Sequence, residues 1–173
     1  MARADRIVAF TGAGLSTECG VPDYRSPGSP WKVHAPIGFA DYLADPALRR
    51  EAWRRKFAMD DIYAGARPGR GHRALTRLYA GGRLGAVITQ NIDGLQQAAG
   101  MPEHAVIELH GNGSYAACLE CGIRFELAPI RQAFEADGTL PRCACGGIVK
   151  SASIAFGQPI PQDSIRRAAS LAL

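Results

Sequence analysis

Apolar residues in this chain come in short runs separated by glycine. Residues 6–10 read Arg-Ile-Val-Ala-Phe, a short buried strand, and Gly12-Ala13-Gly14 follows at once. Residues 37–43 and 46–62 predict two helices. In the second, Leu48, Ala52, Phe57 and Ile62 set an approximate apolar stripe with Pro46 at the start. Pro68-Gly69-Arg70-Gly71 breaks the chain, and 72–79 predicts a helix with Leu75, Leu78 and Tyr79 on one face. A second strand over 86–89, a helix over 92–99 stopped by Gly100 and a third strand over 106–109 come next. Residues 154–156 are apolar and extended, and 161–173 predicts a last helix. No internal repeat or low-complexity linker interrupts the pattern. Strands alternating with helices imply an α/β architecture with a mainly parallel sheet. Such sheets bind ligands where loops converge at the carboxyl ends of the strands. Gly12, Gln90-Asn91 and His110 all fall just past predicted strands.

Composition narrows the class. The 173 residues suit one compact unit with a small inserted module, able to bury roughly 70 % of its extended surface without disulfides. Hydrophobic residues at 47 % and charged residues at 21 % exclude disorder. No apolar run approaches the roughly 18 residues of a membrane span, and Ile7-Val8-Ala9-Phe10 is too short for a secretory core. A soluble, cytoplasmic protein without a membrane partner is expected. The formal charge of +4 is uneven, with ten basic residues against three acids between Arg49 and Arg83. Such a segment suits an acidic partner or a solvated helix face. No aromatic residues alternate with the charges, which favours the solvated face, so nucleic acid is not expected as a partner.

Cys118, Cys121, Cys143 and Cys145 form two close pairs, C-x2-C and C-x-C, leaving Cys19 apart. An odd count of five without a secretory leader disfavours a disulfide framework. Two turns each presenting two thiolates suit a tetrahedral zinc ion that joins them, with free thiols as the alternative. The short C-x-C makes Cys143 the least secure ligand. With four thiolates and no open position, the zinc is expected to be structural.

The strand-end residues carry chemistry when taken together. Gly12-Ala13-Gly14 resembles a phosphate loop whose backbone N–H groups approach an anion at a helix start, though a plain strand-to-helix turn reads equally well. Asp23, Tyr24 and Arg25 place a carboxylate, an aromatic ring and a cation side by side. Gln90, Asn91 and Asp93 offer amides and a carboxylate to ribose hydroxyls and a carboxamide, with a helix cap by Asn91 as the bland reading. His110 is placed to accept a proton near neutral pH, although an isolated histidine there is more often structural.

Gly12-Ala13-Gly14-Leu15-Ser16, Gly20 through Ser26, Thr89-Gln90-Asn91-Ile92-Asp93, His110-Gly111, the paired cysteines and Phe156-Gly157 occur in the order seen in the sirtuins. From about Arg6 to its end, the chain resembles this family of NAD-dependent protein-lysine deacylases. The resemblance implies a Rossmann-like sheet with a smaller helical and zinc-binding module. The NAD-binding part would comprise 1–30, 77–112 and 151–173, the helical insertion 31–76 and the zinc module 113–150. Gly12, Ala13, Gly14, Ser16 and Arg25 would hold the NAD phosphates, and Asp23 and Tyr24 would form the flexible cofactor loop. Gln90 would contact ribose, Asn91 would organise the site, and Asp93 would bind the carboxamide. His110 would be the general base, and Ile154, Phe156 and Gly157 would line the acyl-lysine peptide as an added strand. Nicotinamide would leave C1′ of the ribose, the acyl oxygen would capture that carbon, and free lysine and O-acyl-ADP-ribose would result.

Three features depart from the family pattern. Gln96 stands where many relatives carry histidine, Phe156-Gly157-Gln158 replaces Phe-Gly-Glu, and no Tyr-x-x-Arg pair marks a preference for acidic acyl groups. Acetyl is therefore the expected group. ADP-ribosyl transfer at the same site and an inactive NAD- or ADP-ribose-binding fragment are the competing readings. The family's later Gly-Thr/Ser-Ser loop and final strands are not found before Leu173. A C-terminally truncated sheet with an open edge, poorly stable or weak in NAD binding, is the expectation.

Overall fold

The computed structural model describes residues 7–23, 26–33 and 35–172. Its first sheet is parallel, with β1 (Ile7–Thr11), β2 (Leu84–Thr89) and β3 (Val106–Glu108) in that spatial order. β2 is the middle strand and is almost wholly buried, as its continuous run Leu-Gly-Ala-Val-Ile-Thr suits a strand covered on both faces. The register pairs Thr11 with Thr89 and Thr89 with Glu108, so the carboxyl ends of all three strands are level. Leu84, Val87, Met101, Ala105 and Val106 form the core of this half, and Leu75, Leu78 and Tyr79 of α3 (Arg70–Ala80) pack against it. Phe10, on β1, is 62 % exposed.

The second sheet is antiparallel, in the order β5 (Arg124–Glu126), β4 (Gly111–Cys118), β6 (Val149–Ser153). It packs with α5 (Leu127–Asp137) and with α2 (Pro46–Tyr63). Asp45 caps α2 by accepting from the Ala47 N–H at 2.7 Å, and Pro46 occupies the first turn where no donor is needed. The face of α2 that packs differs from the predicted stripe. Trp53 and Phe57, one turn apart, are its buried residues, whereas Ile62 is 52 % exposed. Tryptophan outweighs the smaller apolar positions because the packed partners are the small sheet, which offers Ala116 and Val149 as a floor, and α5, which adds Ile130. Tyr42 of α1 (Phe39–Ala44) donates from its hydroxyl to the Val149 carbonyl at 3.1 Å, tying the helices to β6.

Other elements shift in extent. The helix expected over 92–99 is a single turn, α4 (Leu95–Ala98), because Asp93 accepts from the Leu95 N–H at 2.9 Å and Gly94 is left-handed. Residues 154–156 do not extend β6; its ladder stops at Ser153. α6 (Gln162–Ala172) matches the expected last helix. No helix among the described residues is long and apolar enough to cross a membrane.

Candidate active site at the strand ends

The level strand ends carry the predicted residues into one place. The ladder continues one residue past β2 and β3, with the Gln90 N–H donating to Thr11 O at 3.0 Å and the Leu109 N–H to Thr89 O at 2.9 Å. From this platform Asn91 donates its side-chain amide to Gly12 O at 3.1 Å and to Ser16 Oγ at 3.0 Å. Ser16, fully buried, donates its own proton to Asp93 Oδ2 at 2.6 Å. Two separate segments, the loops after β1 and β2, thus meet at one hydroxyl, which donates to Asp93 and accepts from Asn91.

A residue that the sequence reading did not single out completes this network. His72, in the first turn of α3, is buried, with Nε2 3.4 Å from Ser16 Oγ and Nδ1 accepting from the Gly69 N–H at 3.2 Å. Because Ser16 gives its proton to Asp93, and Gly69 gives one to Nδ1, the ring carries its proton on Nε2 and donates to Ser16. Burial lowers the His72 pKa, which favours that neutral ring. Only a histidine close behind Pro68-Gly69 hinted at this position.

The loop itself forms two single 3-10 turns, Ala13–Leu15 and Thr17–Cys19, in place of a helix start. A side chain at Gly12 or Gly14 would meet nothing within 4 Å, so these glycines leave open space beside the backbone. Farther along, Gly20, Val21, Asp23, Ser26 and Ser29 line a cavity of about 310 Å³. The Asp23 carboxylate accepts from the Ser26 N–H at 2.8 Å and its hydroxyl at 2.9 Å, away from the Ser16 network. Tyr24 and Arg25 lie outside the described residues.

His110 sits just past β3, with its Nδ1 donating to the Gln90 carbonyl at 3.0 Å. That bond leaves Nε2 with the lone pair. Gly111 follows at φ +69°, and a Cβ there would lie 2.0 Å from Ala152 O, so only glycine allows β6 to approach. The Ile154 N–H then donates to the His110 carbonyl at 2.7 Å, placing the residues after β6 beside the histidine. Phe156 accepts from the Phe39 N–H at 2.8 Å through its carbonyl, and Gly157 turns at φ +79°. Gln158 closes this turn on itself, its side chain accepting from the Ala155 N–H at 3.1 Å.

The four cysteines converge. Their sulfurs all lie within 4.8 Å of one another, with Cys118 to Cys145 and Cys121 to Cys143 each at 3.5 Å. Cys143 is as much part of the group as the others, despite its short spacing. Four thiols at such distances fit one tetrahedral ion with Zn–S bonds of about 2.3 Å.

Open glycines at a strand end, a buried polar network and an imidazole with a free Nε2 thus gather at the carboxyl ends of a parallel sheet, the place where α/β proteins bind their ligands. Comparison with known proteins gives the family. The Sir2 family matches residues 12–172, and the chain belongs to it. It is 53 % identical to the NAD-dependent protein deacetylase of Rhodopseudomonas palustris over 99 % of this chain and 68 % of that protein. The corresponding figures for NAD-dependent protein deacetylase 1 of Bradyrhizobium diazoefficiens are 52 %, 99 % and 67 %. The chain thus spans about two thirds of the length of these relatives. Among solved structures, a Sir2 complex with p53 peptide and NAD+ superposes with a TM-score of 0.80 at 33 % identity, covering 99 % of this chain and 68 % of that one. A Sir2 variant with deacetylated p53 peptide and 3'-O-acetyl-ADP-ribose gives a TM-score of 0.84 at 31 % identity, with coverage of 99 % and 68 %.

Proposed function

We propose that this chain removes acetyl groups from protein lysines with NAD as co-substrate, releasing nicotinamide and O-acetyl-ADP-ribose. The convergence of Asn91, Ser16 and Asp93 beside His110 carries the reading. When bound, NAD supplies an electrophilic ribose carbon once nicotinamide departs. The open backbone at Gly12, Ala13 and Gly14 suits its phosphates, and Arg25 is assigned to them with Asp23 and Tyr24 as the cofactor loop. Ser16, its buried hydroxyl committed to Asn91 and Asp93, is assigned to holding the phosphate loop in place instead of to the phosphates themselves. Gln90 is assigned to ribose, Asn91 to organising the site and Asp93 to the carboxamide. His110, oriented by the Gln90 carbonyl, uses Nε2 to take a proton from a ribose hydroxyl. Ile154, Phe156 and Gly157 are assigned to the acetyl-lysine peptide.

The quartet of Cys118, Cys121, Cys143 and Cys145 is assigned to a structural zinc ion, whose chemistry is to join two turns. The same reading assigns the protein to the cytoplasm, where reducing conditions keep the thiols available to metal. Mass spectrometry of products from an acetyl-lysine peptide and NAD tests it. Equal amounts of deacetylated peptide and O-acetyl-ADP-ribose are expected. His110→Ala is expected to lower kcat by about 10²–10⁴-fold, the range for a lost general base, and to leave NAD affinity within about threefold. ADP-ribosylated peptide in place of those products would give the transferase reading instead, and unchanged turnover in the variant would remove His110 from its role.

A further inference from the structure

The loop after β1 and the start of α3 hold each other from both sides. α3 begins after Gly69, which has no side chain to accept the N–H groups of the first turn. Glu18 supplies that acceptor from 52 residues away: Oε1 takes the Arg70 N–H at 2.8 Å and the Gly71 N–H at 3.4 Å. In the other direction, His72 reaches from the same turn back to Ser16, two residues before Glu18. The N–H of Gly71, with that of Arg70, holds the Glu18 carboxyl below the usual carboxylate range.

Gly69 is shaped by this contact and not by its own torsions. Its φ of −80° is open to any residue, but a Cβ would lie 2.3 Å from Glu18 Oε1 and 2.8 Å from Cys19 Sγ. A side-chain cap at position 69 and the Glu18 cap are therefore mutually exclusive. The Arg70 guanidinium contributes less to the arrangement, because it is 90 % exposed and stands 3.4 Å from Oε2.

We propose that Glu18 is a positioning residue that caps α3 from across the chain, setting how His72 meets Ser16 and hence where Ser16 holds the Asp93 carboxylate. What Asp93 then does for nicotinamide rests on the deacetylase reading; the clasp of Glu18 on the first turn of α3, which a side chain at Gly69 would displace, does not.

Two measurements on the same variants test it. In thermal melting, Gly69→Ser lowers Tm in the wild-type background, where Glu18 occupies the space. In the Glu18→Ala background, Gly69→Ser raises Tm over Gly69→Ala by about 2–4 °C, the effect of one restored cap. In kinetics, Glu18→Ala raises both KM for NAD and the inhibition constant of nicotinamide by about tenfold, as expected for one lost charge-assisted hydrogen bond. The peptide KM stays within about twofold, and Glu18→Ala/Gly69→Ser recovers both nicotinamide-side constants. Additive effects of the two substitutions on Tm would overturn the clasp. A lower Tm with unchanged NAD and nicotinamide constants would overturn the positioning role. If the wild-type protein turns over no NAD at all, the deacetylase reading fails, and the reversal of sign in melting still decides the clasp.

Discussion

Lys150 is 6 % exposed, and its ammonium donates to the carbonyls of Ser151, at 2.8 Å, and Ser153. Backbone oxygens replace part of its hydration but bring no full negative charge, so burial dominates and the pKa falls from 10.5 to about 8. Between two paired positions β4 runs from Gly111 to Ala116 while β6 runs only from Ser153 to Ser151, and the ammonium donates to β6 carbonyls at this irregularity. The sign of the linkage follows. A folded-state pKa below the unfolded value makes the buried charge a penalty at neutral pH. The penalty is relieved as pH rises from about 8 towards 10.5. Wild-type stability should therefore rise relative to Lys150→Met across that window, as read by denaturant unfolding at several pH values. A constant difference between the two proteins would refute the buried-charge account. No sequence pattern announces such a residue, since a lysine on a short strand reads as solvated. His110 and Asn91 were legible because glycine and strand ends flank them. His72 and Glu18 were not, because their partners lie 56 and 52 residues away.

At the scale of elements, the strand ends are held together by a residue from the shortened helix α4. Gln96, 3 % exposed, donates Nε2 to Thr11 Oγ1 at 3.3 Å and to Thr89 Oγ1 at 3.2 Å. Thr89 Oγ1 also accepts from the Asn91 N–H at 3.0 Å, so one amide spans β1 and β2 and braces the segment that carries Asn91. The departure from the family's histidine thus has a structural meaning. An amide nitrogen has two protons for two hydroxyls, whereas each imidazole nitrogen has at most one. Gln96→Leu is expected to cost about 1–3 kcal/mol and to raise KM for NAD, with Gln96→His falling between it and wild type. Denaturant unfolding and NAD kinetics would show this; a Gln96→Leu protein as stable as wild type would mean the bridge is idle. The helix boundary missed at 92 has the same origin. Asp93 is recruited by Ser16 and by the Leu95 N–H, and such side-chain bonds compete with helix formation in a way that apolar periodicity does not register. The strands over β2 and β3 were readable because their signal is local and their apolar runs are bounded by glycine or polar turns.

Over the whole molecule, the two buried clusters share no residue. One lies under the parallel sheet, and the other joins α2 to the small sheet through Trp53 and Phe57, whose rings stack at 5.4 Å. Cys118 and Cys143 belong both to this second core and to the four-cysteine group, so an ion there would brace the core as well as its turns. His110 stands at the seam: the parallel sheet supplies the Gln90 carbonyl that orients its ring, and β6 leads into Ile154, which bonds its backbone. Chelating the zinc ion proposed for this group should therefore loosen one half before the other. In hydrogen exchange, 46–63, 111–126 and 149–153 should lose protection while 84–89 and 106–108 keep theirs. Peptide KM should rise in step with exchange at 149–153, ahead of any change in NAD binding, because the strand ends that hold Asn91 and Ser16 belong to the other core. Simultaneous loss of protection in both sheets would show one cooperative unit instead. Protection unchanged by a chelator, with no zinc found in the purified protein, would remove the ion from the second core.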